Sequence, residues 1–169
     1  MTNDIARILA QEERLQFERF DQQMAWTIGS EIRALAESRR QAVAIDIEIN
    51  GLPMFFSAMP GTGLDNIDWI RRKKNVASRF RRSSFGYALW LRAQNITLME
   101  RQGLPVRDYA VAGGCFPIVI RGTGMIGTIA VSGLPERIDH ELVVEAIATY
   151  LGIAYADVAL ETPADIVPA

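Results

Sequence analysis

Two apolar runs that fold back on themselves constrain this chain more than anything else in it. Val43, Ile45, Ile47 and Ile49 alternate with Ala44, Asp46 and Glu48, and Asn50-Gly51 follows at once. Such alternation marks a strand with one buried face. Asn-Gly is the dipeptide preferred by a two-residue hairpin turn, whose central residues both take positive φ. Leu52 to Ala58 then forms the return strand. The pattern recurs downstream, where Phe116 to Arg121 and Met125 to Ser132 flank Gly122-Thr123-Gly124. Two hairpins and no strand-helix-strand repeat call for antiparallel pairing, so the expected class is α+β, one antiparallel sheet with helices packed on it.

The remaining segments read mostly as helix. Asp4 to Ala10 is a short one, and Leu15, Phe17 and Arg19 alternate with polar neighbours as a brief strand would. Asp21 caps a helix whose Met24, Ala25, Ile28, Ile32, Leu35 and Ala36 recur at helical spacing. Pro60-Gly61-Thr62-Gly63 breaks the chain. Asp65 is the expected N-cap of a helix reaching about Arg82, and a further helical stretch from Ser84 to Gln102 is stopped by Gly103 and Pro105. Asp139 is the expected cap of the last helix, with Leu142, Val143, Ala146, Ile147, Tyr150 and Leu151 in one stripe ending at Gly152. Residues 1–152 thus form one domain, and 153–169 a C-terminal tail or arm.

Several functions are excluded by residue counts. Cys115 is the only cysteine and His140 the only histidine, so there is no intrachain disulfide, no multi-cysteine zinc cluster and no two-histidine metal site. A chain of 169 residues buries roughly two-thirds of its unfolded surface and needs no such cross-link. No apolar run reaches the ~18 residues of a membrane span, and the start, with Asp4, Glu12 and Glu13, is unlike a secretory signal. The expected location is the cytoplasm.

The net charge of −2 hides an uneven distribution. Residues 1–64 carry −3, residues 65–107 carry +7 and residues 108–169 carry −6. A basic middle third can attract an anion. Arg71, Arg72, Lys73, Lys74, Arg79, Arg81 and Arg82 crowd one helix, where the ordinary reading is a solvated face. The chain is acidic overall and shows no nucleic-acid module, so nucleic acid is not an expected partner. Lys73 differs from its neighbours: four residues from Trp69 and four from Ala77, it lies on the apolar face, where an amine must snorkel out or meet an anion.

Three further features could carry chemistry. Gly113-Gly114 precedes Phe116 at a strand start, where two glycines permit close backbone approach or simply a tight turn. Ser132 ends a strand before Gly133-Leu134-Pro135, and His140 falls in the expected first turn of the last helix, which favours a neutral imidazole able to ligate a metal or haem iron. The pair Ser83-Ser84 stands between two helices, where capping explains it as well as binding does.

Together these stretches resemble the haem-degrading domain family, closest to its branch of small, mostly uncharacterised cytoplasmic proteins. The resemblance rests on Asp68 to Lys73, Phe80 to Phe85 with the serine pair, Asp108 to Pro117, Gly127 to Pro135 and Asp139 to Val144. It implies a fold similar to PAS and profilin domains, a five-stranded antiparallel sheet flanked by helices, assembly into dimers or larger homo-oligomers, and an association with haem. It points to Trp69, Lys73, Ser83, Ser84, Gly113, Gly114, Phe116, Ser132 and His140 as ligand-binding, with His140 as haem-iron ligand. One departure stands out: the branch carries a histidine just before its two glycines, and here that residue is Ala112.

Three readings stay open. The chain binds haem or a related anionic ligand and assists its turnover; or it is a non-enzymatic oligomeric scaffold with a vestigial pocket; or it is an enzyme acting on a small carboxylate. The pocket is expected where the Lys73 face, the Gly113-Gly114 turn and the start of the last helix converge. Replacing Lys73 by Met would then weaken an anionic ligand with little effect on melting.

Overall fold

A computed structural model describes residues 2–161. The elements run α1 (Thr2–Arg14), α2 (Gln22–Ser38), β1 (Ala44–Ile49), β2 (Leu52–Ala58), α3 (Leu64–Phe80), α4 (Ser84–Ala93), α5 (Leu98–Gln102), β3 (Cys115–Ile120), β4 (Gly124–Ser132) and α6 (Glu136–Leu151), then a 3-10 turn at Tyr155–Asp157. The four strands form one antiparallel sheet ordered β2-β1-β4-β3. Both hairpins form where the turn chemistry places them, and Asn50 and Gly51 take φ of 48° and 82°.

The sheet has four strands, not five. Among the described residues the Leu15–Arg19 segment makes a single parallel bridge, Phe17 to Ile120. The Phe17 N–H donates to Val119 O and the Arg121 N–H to Phe17 O. Asp21 accepts from the Met24 N–H to start α2 four residues later, which leaves too little chain for a strand.

The two faces of the sheet differ in side-chain size. Ile45, Ile47, Phe116, Ile118, Ile129 and Val131 pack toward α2 and α6 in the main core. Ala44, Cys115 and Ala130 meet Ile70 and Ala77 of α3 on the other face, and their small size lets α3 lie close. Helix starts depart from expectation in two places. α3 begins at Leu64, because the Asn66 side chain accepts from the Gly63 N–H at 2.9 Å and caps the helix ahead of Asp65. α6 begins at Glu136, which puts Asp139 a turn inside it. The 84–102 stretch divides at Asn95, whose φ is 52°.

Beyond α6 the chain turns back over α1 and α4. Val158 and Leu160 are buried, and Gln11 of α1 donates to Val158 O at 2.7 Å. The rest of the expected tail, 162–169, lies outside the described residues.

Candidate functional site

Much of the basic middle third is paired with acids, most of them from the two flanking thirds and one, Asp68, from within it. Arg71 pairs with Asp68 and Asp108, Arg72 with Asp68, Lys74 with Asp46 and Glu48, Arg82 with Glu12, and Arg92 with Glu136. The segmental charge imbalance is therefore the sequence trace of intramolecular ion pairing across the fold.

Lys73 follows the same logic at greater depth. Its side chain is 4 % exposed, and Nζ lies 2.8 Å from Asp139 Oδ2 and 3.0 Å from Val131 O. Asp139 is as deeply buried, and its Oδ1 accepts from the Leu134 N–H at 3.0 Å. Burial pushes the Asp139 carboxyl above the usual range, against the pull of Lys73 and of the Leu134 and Gly133 amides. The groups that sequence reading took as an invitation to an outside anion thus already converge on an internal one.

A cleft of about 320 Å³ opens over this pair, lined by Asn66, Trp69, Lys73, Ala112, Ser132, Gly133, Leu134, Glu136 and Asp139. The Trp69 ring is partly exposed, with the Arg72 guanidinium 4.2 Å from its centroid. Glu136 is held by Arg92 through two hydrogen bonds of 2.5 and 2.9 Å. Gly113 and Gly114 form the wall behind Lys73: a Cβ on Gly114 would stand 2.8 Å from Lys73 Nζ, and one on Gly113 would collide with the Glu136 carbonyl. The Lys73 face, the glycine turn and the start of α6 do meet.

The other expected residues lie apart from the cleft. Ser83 caps α4 by accepting from the Gly86 N–H and donates to Glu12; Ser84 accepts from the Cys115 N–H. Phe116 is buried with its ring 6.0 Å from that of His140. His140 is not in the first turn but beyond it, fully buried, and burial lowers its pKa to about 3. Gln11 uses its amide nitrogen on Val158 O and Glu141, so its oxygen accepts from His140 Nε2 at 2.8 Å, and Nδ1 is left without a partner. Cys115 is buried too, its thiol pushed up to about 12, which makes it inert. Sequence reading missed Asn66, Glu136 and the role of Asp139. The one usable signal was that a lysine on an apolar helix face needs a buried carboxylate.

A four-stranded antiparallel sheet with helices on both faces and a cleft at the start of its last helix defines an α+β domain. The family model described as "Haem degrading protein HbpS-like" matches residues 20–148, and the chain belongs to that family. A UPF0303 protein of Azotobacter vinelandii is 55 % identical over 161 residues, 95 % of this chain and 97 % of the relative. The crystal structure of Ybr137w protein superposes with a TM-score of 0.81 at 29 % identity, covering 88 % of this chain and 87 % of that one. The PduOC:Heme complex superposes at 0.62 and 17 % identity over 73 % and 89 % of the two chains, a likeness of fold.

Proposed function

We propose that this protein binds a carboxylate-bearing small ligand in the Lys73 cleft, with haem or a related tetrapyrrole as the leading candidate, and that it does so in the cytoplasm. The observation that carries the reading is the state of Lys73. An ammonium has three N–H donors, two are used on Asp139 and Val131, and Lys73 is among the residues that line the cleft. Asn66 and Ser132 add polar groups beside it, and Trp69, Ala112 and Leu134 supply an apolar wall. The family description and the haem complex of a structural neighbour support a tetrapyrrole as the ligand.

The cleft fits the propionate edge of haem better than it fits the iron. At about 320 Å³ it is at the low end for a ligand pocket, so a tetrapyrrole would enter by its edge with the ring over Trp69. Among the described residues no His, Cys, Met or Tyr side chain lines it, Ala112 stands where the branch has histidine, and His140 is engaged by Gln11 in the core. Binding therefore runs through the carboxylate and the ring plane, without an iron ligand from the cleft.

Titration with haem and with metal-free protoporphyrin, followed by absorbance and tryptophan quenching, tests this. Saturable binding of both within a few-fold of each other, unchanged in His140→Gln and weakened in Trp69→Ala, is the expected result. Binding of haem alone, abolished by His140→Gln, would replace it with an iron-ligation site.

A further inference from the structure

The loop from Pro105 to Val111 contains no helix or strand, yet α3 ties its backbone down. Arg71 donates to Arg107 O at 2.7 Å, Arg72 to Val106 O at 3.2 Å and Asn75 to Asp108 O at 2.7 Å. The Ala110 N–H donates back to Arg72 O at 3.2 Å. These four bonds satisfy backbone groups that a sheet or helix would otherwise have paired, and they hold the loop as a wall. Opposite it, α5 is fixed by a reciprocal cap: Thr97 Oγ1 accepts from the Glu100 N–H, and Glu100 accepts from the Thr97 N–H.

A cavity of about 430 Å³ lies between these parts, larger than the Lys73 cleft. Residues of α4, of α5 with the turn before it, and of the loop all line it. Leu91, Ile96, Leu98, Met99, Val106 and Val111 supply most of that lining. Its neighbour is the cleft, since Val111 lines the cavity and the next residue, Ala112, lines the cleft. Their chemistry is opposite. Lys73, Glu136 and Asp139 line the cleft, whereas Arg92 is the one charged residue among those lining the cavity. Both terminal nitrogens of Arg92 are already spent on Glu136. The Thr97 hydroxyl is spent as well, donating to Glu100 while accepting from its N–H.

We propose that this cavity is a second binding site, which takes an uncharged, mainly hydrocarbon small molecule the size of a two-ring aromatic. Its volume falls within the range of small-molecule pockets. With walls on three sides it suits a compact molecule, where a peptide strand would need an open sheet edge. A charged ligand would lose its hydration there and find no free counter-charge, a cost that an uncharged one avoids. The tethered loop and capped α5 are set before binding, so little ordering is needed. Met99, 48 % exposed, has the unbranched thioether that adapts to ligands of different outline.

Calorimetric titration of the full chain with 2-naphthol and with naphthalene-2-carboxylate tests the assignment, because the two share their rings and differ in charge. Saturable binding of naphthol, one per chain, with a negative heat-capacity change is the expected result. The carboxylate is expected to bind at least ten-fold more weakly. Met99→Asp places a charge in the lining at a partly exposed first-turn position that suits an acid, and should weaken naphthol at least ten-fold. Absence of saturable naphthol binding overturns the proposal, and so does a carboxylate that binds as tightly as naphthol. Naphthol binding that Met99→Asp leaves unchanged also overturns it, and its loss in Trp69→Ala would then put the probe in the Lys73 cleft. If Met99→Asp fails to fold, Val106→Asp, at a position 71 % exposed, decides by the same readings.

Discussion

Lys73 of α3 and Asp139 of α6 meet at 2.8 Å with both side chains almost out of water, sixty-six residues apart in the chain. The pair ties the helix on one face of the sheet to the start of the helix on the other. Removing one member of a buried ion pair leaves the other charge uncompensated, which costs roughly 3–5 kcal/mol. Lys73→Met is therefore expected to lower the melting temperature substantially, contrary to what a snorkelling lysine would do. The deficit should also depend on pH. Burial already raises Asp139, and Lys73 is the first cause holding it down, so its loss raises the folded pKa further. An acid with a raised folded pKa contributes stability below its unfolded value and loses it as pH rises through the folded one. Urea denaturation should find the variant's deficit larger at pH 8 than at pH 5.

His140 gives a second pH signature, of opposite sign. Its pKa falls to about 3 by burial and, secondarily, by Arg137, against about 6.5 in an unfolded chain. Above pH 6.5 the ring is neutral in both states and contributes nothing to the pH dependence. Between 6.5 and about 3 only the unfolded chain takes up the proton, so stability falls with pH by at most about 1.4 kcal/mol per unit. His140→Gln should flatten the slope of stability against pH across that window. An unchanged slope would mean that the ring is hydrated and protonated in the folded protein.

Much of this architecture is local in origin and so could be read from the chain. Asn50-Gly51 dictates its turn because positive φ at two successive residues is a property of those residues. Asp21 caps α2 for the same kind of reason. What could not be read depends on distant partners. Nothing near Lys73 in sequence identifies Asp139 as its counter-ion. A histidine one residue after an expected cap looks exposed until α6 is known to begin at Glu136, which turns His140 into the core. Helical spacing marked Lys73, and the family resemblance added Trp69 and Ser132, but Asn66, Leu134 and Glu136 line the cleft only because the segment from Ser132 to Asp139 faces α3 from Asn66 to Lys73.

Gly114 tests how tightly that approach is constrained. Its φ is +116°, and a Cβ would stand 2.5 Å from Val131 O and 2.8 Å from Lys73 Nζ. Gly114→Ala combines backbone strain with a collision, so a loss of at least ~2 kcal/mol is expected in chemical denaturation. Ligand affinity should fall with it, because the collision reaches the Lys73 amine as well as the Val131 carbonyl, and Lys73 lines the cleft. A neutral effect would show that the turn can flip without moving Lys73.

Glu136 sets the charge of the cleft, and its substitution separates a carboxylate ligand from an uncharged one. Lys73 cancels Asp139 and Arg92 cancels Glu136, so the lining is neutral and wild-type affinity for an anion should vary little with salt. Glu136→Gln leaves the Arg92 guanidinium, about half exposed, without its counter-charge. A partly exposed charge contributes about 0.2–1 kcal/mol to a pairing, so the variant should bind protoporphyrin or a simple carboxylate more tightly, by up to roughly five-fold. That gain should vanish between 50 mM and 500 mM salt, since it comes from an accessible cation. A neutral ligand would show neither the gain nor the salt dependence. Measuring affinity for protoporphyrin and for its dimethyl ester in both proteins distinguishes the cases, because esterification removes the negative charge and leaves the ring unchanged.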